Sequence, residues 1–116
     1  MSRDSRLYLE DILEAATRVR AYLADGSRQT LDSDLRTRDA VLHNLEVIGE
    51  AVKKLPEDLT ERHPAVDWSG FARMRDVLAH QYFVADLDIV WQAVNEELPG
   101  LESAARELLG RTRGRE

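Results

Sequence analysis

Residues Arg38-Asp39-Ala40-Val41-Leu42-His43-Asn44-Leu45-Glu46-Val47-Ile48-Gly49-Glu50-Ala51-Val52-Lys53-Lys54-Leu55 decide the class of fold. Val41, Leu45, Ile48, Val52 and Leu55 recur at 4-3-4-3 spacing, which lines one face of an α-helix. Leu35, Leu42 and Gly49 add a neighbouring stripe. Asp32 or Asp34 can cap the start, and Pro56 ends the helix or opens the next turn. Gly49 costs about 1 kcal/mol relative to alanine inside a helix; close approach of another backbone is the return that would explain it.

The same rhythm continues on both sides. Tyr8, Ile12, Ala15, Val19 and Tyr22 predict a first helix over roughly 5–24, ended at Asp25-Gly26-Ser27. After Pro56 the spacing predicts a short helix around 57–62 and a loop. A third long helix starts near Ser69 with Phe71, Met74, Val77 and Leu78 inward. A fourth starts near Asp86 with Leu87, Val90, Trp91, Val94 and Leu98 inward. Pro99-Gly100 kinks or splits it, and Leu101, Ala105 and Leu108 carry the stripe to about 109. No strand-like alternation occurs. The expected fold is all-α, a four- to five-helix antiparallel bundle forming one domain over 1–110, with a frayed basic tail over 111–116.

Composition narrows the function. The chain has 116 residues, 43% hydrophobic and 33% charged, with no cysteine, so disulfide scaffolds, thiolate metal sites and cysteine nucleophiles drop out. The charged N-terminal stretch does not read as a signal peptide, and no apolar run approaches a membrane span; a cytoplasmic location is expected. A net charge of −6, from 16 basic and 22 acidic residues, does not suit bulk electrostatic binding of nucleic acid. Contact with RNA would need a local basic site or a partner. Only Lys53 and Lys54 are lysines; the other basic residues are arginines, whose planar forks suit phosphate, although genome composition produces the same bias. Residues 86–107 carry Asp86, Asp88, Glu96, Glu97, Glu102 and Glu107 against Arg106 alone, either a solvated helix face or a docking face for a basic partner.

Three histidines are present. His43 is mid-helix among polar neighbours and His63 precedes Pro64 in a loop; both read as structural. His80 differs, because Arg75, Asp76, His80 and Tyr82 gather at the end of an otherwise apolar helix. Asp76 and His80 are i,i+4 and share a face, where the carboxylate would orient the imidazole. Arg75 and Tyr82 are i,i+7. Arg75 and His80 are i,i+5, about 140° apart around the helix, so they converge only if the helix ends or bends near His80 or a second copy completes the site. Arginine and histidine without a metal suffice for one familiar reaction, in which the histidine moves a hydroxyl proton while the arginine stabilises a phosphoryl transition state. RNA already carries the nucleophile, its 2′-hydroxyl. The spacing alone is equally that of a helix C-terminus with a surface histidine.

The stretch Trp68–Phe83, followed by Asp86-Leu87-Asp88-Ile89-Val90-Trp91, closely resembles the HepT family of HEPN-domain toxins, as do Arg38-Asp39-Ala40, Ile48-Gly49-Glu50-Ala51 and Leu98-Pro99. The resemblance covers about 5–109. It implies a HEPN-like homodimer with two R-x4-H motifs facing one cleft. It further implies a metal-independent, cofactor-free endoribonuclease toxin acting on tRNA, mRNA or another RNA and leaving a 2′,3′-cyclic phosphate. Arg75 and His80 would be catalytic, with Asp76 in support. The implied partner is a nucleotidyltransferase antitoxin that transfers AMP to the motif tyrosine, here Tyr82. Two other readings remain: a non-catalytic HEPN subunit that binds nucleotide or docks a nucleotidyltransferase, and a plain helical dimerisation protein.

Overall fold

The computed structural model describes residues 1–24, 26–80 and 86–111. The elements are α1 (Arg3–Tyr22), α2 (Arg28–Ser33), α3 (Leu35–Lys54), α4 (Glu57–Thr60), α5 (Trp68–His80), α6 (Leu87–Gln92), a π-helical turn (Ala93–Glu97) and α7 (Leu98–Leu108). Every regular element among the described residues is helical, as the periodicity predicts. The long helices pack in the order α5–α3–α1–α7, with α3 central between α1 and α5. Leu9, Ile12 and Val19 of α1, Val41, Leu45 and Ile48 of α3, and Leu98 and Leu101 of α7 are fully or almost fully buried in the common core.

Local chemistry sets the ends. Ser2 caps α1 by accepting from the backbone N–H of Ser5 at 3.0 Å. Asp34 caps α3, accepting from the N–H of Thr37 at 3.1 Å and from its hydroxyl at 2.9 Å. Asp86 caps α6. Helix α7 closes in a Schellman turn. Gly110 adopts φ 80°, its N–H bonds the Glu107 carbonyl at 2.9 Å, and the Arg111 N–H bonds the Arg106 carbonyl at 2.7 Å.

The structure corrects several expectations. Helix α2 is not foreshadowed by the periodicity: its six residues hold one buried apolar side chain, Leu31, too few to make a period. Val77, expected inward, is 46% exposed, and Leu35 of the second stripe is 59% exposed. The fourth helix is continuous from Leu87 to Leu108, and its irregularity precedes Pro99. Proline cannot donate to the carbonyl four residues back, and the chain meets that constraint with a π turn in which the Leu98 N–H reaches Ala93. Of the basic tail, Arg111 pairs with Glu10 of α1; residues 112–116 lie outside the described residues.

The acidic run over 86–107 is partly spent on the fold. Asp86 is a cap, and Asp88 pairs with Arg28 at 2.7 Å. Glu102 is buried between α1 and α7, held by Arg20 and, at 3.7 Å, by Arg106. A buried carboxylate is tolerable only with such partners. Arg20→Ala should therefore lower the unfolding free energy by about 2–3 kcal/mol in urea titrations, whereas Glu102→Met, which removes the buried charge itself, should stay within about 1 kcal/mol of wild type.

Candidate functional site

Helix α5 carries the candidate residues on two different faces. Phe71 and Leu78 are its fully buried side chains. Arg75 follows Phe71 by four residues and precedes Leu78 by three, so it lies on the same inward stripe and turns towards α3. His80, the last residue of α5, is exposed, and Asp76 is exposed beside it. The helix is regular up to His80, so Arg75 and His80 remain about 140° apart around its axis. One protomer does not bring them to a common point through any bend within α5.

Gly49 allows Arg75 its position. A Cβ built on Gly49 would lie 2.3 Å from Arg75 Cβ and 2.6 Å from the Phe71 carbonyl oxygen. Only a residue without a side chain lets α3 and α5 come this close, which is the close approach expected of a helix-interior glycine. The next residue, Glu50, then sits against the arginine: its Oε2 is 2.8 Å from Arg75 Nε, a charge pairing out of hydrogen-bond alignment. Arg75 Nη1 donates to Asp76 Oδ1 at 3.1 Å, and Lys53 Nζ donates to the same oxygen at 2.7 Å.

These contacts fix the charge states. The hydrogen bond from Lys53, then that from Arg75, holds the Asp76 carboxyl below the ordinary carboxylate range. The hydrogen bond to Asp76, reinforced by the charges of Glu50, Asp76 and Glu46, pushes the Arg75 guanidinium above its ordinary value. Because the folded value of Asp76 is depressed, its contribution to stability is complete above the unfolded value of about 3.9 and is lost as pH falls through the lower folded value. The stability gap between wild type and Asp76→Asn, read by urea unfolding, should thus be constant from pH 7 to about 5 and narrow below about pH 4.

Two concavities flank α5. On the α3 side, a cleft of about 260 Å³ is lined by Tyr8, Glu46, Val47, Glu50, Lys54 and Arg75, with Lys54 Nζ 5.6 Å from the Tyr8 ring centroid. On the other side, a groove of about 430 Å³ runs between α5 and the α6–π segment over Phe71, Met74, Val77, Ile89 and Ala93. Among the described residues, no group of three or more His, Asp or Glu is placed to hold a metal ion, and no helix is long and apolar enough to cross a membrane.

The structure thus joins Arg75 and Asp76 but not Asp76 and His80. The expected orientation of the imidazole by Asp76 is not made: among the described residues the carboxylate is committed to Lys53 and Arg75. Tyr82 lies outside the described residues. His43 is exposed, and His63 offers its carbonyl to Trp68 Nε1 at 3.0 Å, a structural contact. Spacing along the chain does not single out Glu50 and Lys53 as neighbours of the Arg75–Asp76 pair. The signal is present in part: a charged residue on the inward stripe of α5 requires a carboxylate from a neighbouring helix.

The family described as HepT-like, ribonuclease HepT-like, matches residues 12–108. A protein of Thermococcus cleftensis named "Probable ribonuclease HepT" is 38% identical over 93% of this chain and 98% of its own length. A Methanocaldococcus jannaschii protein whose name marks it provisionally as an RNase is 42% identical over 84% of this chain and 80% of its own. One of Caldanaerobacter subterraneus, named in the same provisional way, is 38% identical over 90% and 93%. No solved structure matches at a significant level. An all-helical bundle, the R-x4-H residues on one helix and a match over most of its length together place the chain in the HepT-like ribonuclease family.

Proposed function

We propose that this chain is a metal-independent endoribonuclease toxin whose chemistry is carried by Arg75 and His80. The observation that carries the reading is their placement within the family-matching region: an exposed imidazole at the end of α5 and a charged arginine five residues earlier. His80 takes the proton of the RNA 2′-hydroxyl. The 2′-oxygen then bonds to phosphorus, the bond to the 5′-oxygen breaks, and the imidazolium returns its proton to that oxygen, which leaves as a hydroxyl. The products are a 2′,3′-cyclic phosphate and a 5′-hydroxyl. Arg75 offsets the charge gathered on the phosphoryl oxygens, and Asp76 holds Arg75 in place. Since the two side chains diverge around α5, the reading includes a homodimer in which one copy's Arg75 approaches the other's His80. A nucleotidyltransferase antitoxin would silence the site by transferring AMP to Tyr82, setting a bulky anion two residues from His80.

A second reading has its own support. Arg75 is bound by Glu50 and Asp76, and the cleft beside it also holds Glu46, an arrangement that suits a binding subunit which never releases the arginine to a phosphate. Incubating wild type and His80→Ala with total RNA in EDTA separates the two. Cleavage by wild type alone, with cyclic phosphate ends, supports the ribonuclease. Intact RNA from a wild type shown by mass to be unmodified moves the binding subunit to the front, and a plain 3′-hydroxyl end refutes the 2′-hydroxyl mechanism.

A further inference from the structure

The R-x4-H spacing singles out Arg75, yet the arginine nearest to His80 around α5 is Arg73. At 100° per residue Arg73 lies about 20° from His80, two turns and about 10.5 Å earlier along the axis, whereas Arg75 lies about 140° away. Arg73, Val77 and His80 follow i, i+4, i+7 and are all exposed, Val77 by 46%. They form one open strip on the side of α5 turned from α3.

The charge of Arg73 is also uncommitted. Among the described residues its guanidinium makes no ion pair, and its one side-chain hydrogen bond is a long one, 3.3 Å from Nη1 to the Ser69 hydroxyl. Arg73 lines the groove between α5 and the α6–π segment together with Asp67, whose Oδ1 accepts from the N–H of Gly70 at 3.0 Å and from the hydroxyl of Ser69 at 3.3 Å and makes no direct bond to Arg73. Glu97, at the far wall of that groove, is the other carboxylate facing it. Arg75, in contrast, is held by two carboxylates. On a chain of net charge −6 an unpaired arginine in line with the imidazole is a local basic site of the kind RNA needs.

We propose that Arg73 is a substrate-binding residue: its guanidinium takes a non-scissile phosphate of the RNA strand whose scissile phosphate lies at His80. The inference rests on the ribonuclease reading and adds to it a phosphate-binding position outside the R-x4-H pair. The fork donates two parallel hydrogen bonds to the phosphate oxygens and fixes the register of the strand, without touching the reacting atoms.

The test measures binding of a labelled single-stranded RNA across a series of KCl concentrations, using His80→Ala to prevent turnover. Adding Arg73→Gln should weaken binding about tenfold at low salt and make the slope of log K against log salt shallower by about 0.7, the loss of one phosphate contact. Arg73→Lys should recover the slope because it keeps the charge. In the otherwise wild-type chain, Arg73→Gln should raise KM while kcat stays within about twofold. An unchanged slope and KM, at unchanged circular dichroism and elution volume, would overturn the role of Arg73 while leaving the ribonuclease standing. A wild type that neither binds nor cuts RNA overturns both.

Discussion

His80→Ala should reduce RNA cleavage by about a hundredfold to ten-thousandfold, the usual worth of a positioned general base, and should leave the fold intact. The side chain is exposed at the end of α5 and contributes no burial to the core. Its loss therefore isolates chemistry from stability, which the arginine of the pair cannot do. Arg75→Ala would release Glu50 and Asp76 from their cation and open space beside Gly49. A fall in rate from that variant would mix lost charge with altered helix packing. Single-turnover cleavage at matched protein concentration, with circular dichroism as the control, reads the His80 effect directly. A decrease smaller than about tenfold would remove His80 from the proton transfer.

Gly49→Ala should be the most disruptive single methyl in the bundle. The added carbon would meet Arg75 Cβ at 2.3 Å and the Phe71 carbonyl oxygen at 2.6 Å, and neither is the far end of a flexible side chain. Alanine recovers about 1 kcal/mol of helix propensity, but forcing α3 and α5 apart costs more than that, since overpacking against fixed neighbours runs to about 3 kcal/mol or beyond. The expected net loss is about 2 kcal/mol, a drop of about 10 °C in Tm for a chain of this size. Cleavage should fall with it at temperatures where the variant is still folded, because the displaced atom belongs to Arg75. A Gly49→Ala chain with a wild-type Tm would mean that the two helices are not in contact there.

His80 and Gly49 differ from their surroundings in how plainly the sequence displays them. The 4-3-4-3 rhythm of α1 and α3 is legible because these helices bury one stripe against a common core, and the periodic residues are the buried ones. Val77 fits the same rhythm as Met74 and Leu78 yet is exposed, because α5 packs principally against α3 and Val77 lies instead on the open groove between α5 and the α6–π segment. Periodicity reports spacing and not which neighbour exists. Glu102 reads as one more member of an acidic run, and only the approach of α1 to α7 turns it into a buried ion-pair centre. The same holds at the site. Arg75 and His80 stand out by type and spacing, but the Glu50 and Lys53 contacts join residues more than twenty positions apart and appear only once Gly49 has brought two helices together.

The helix that carries Arg73, Arg75 and His80 is also the most lightly anchored of the long ones: α5 buries two side chains, where α1 buries six and α3 seven. Free energies of local opening follow buried contact, so α5 should exchange its amide protons sooner than its neighbours. Whatever covers its outer flank would then do more than complete a surface. It would supply the ordering that the chain alone leaves unfinished, and the proposed site would reach its working rigidity only in company.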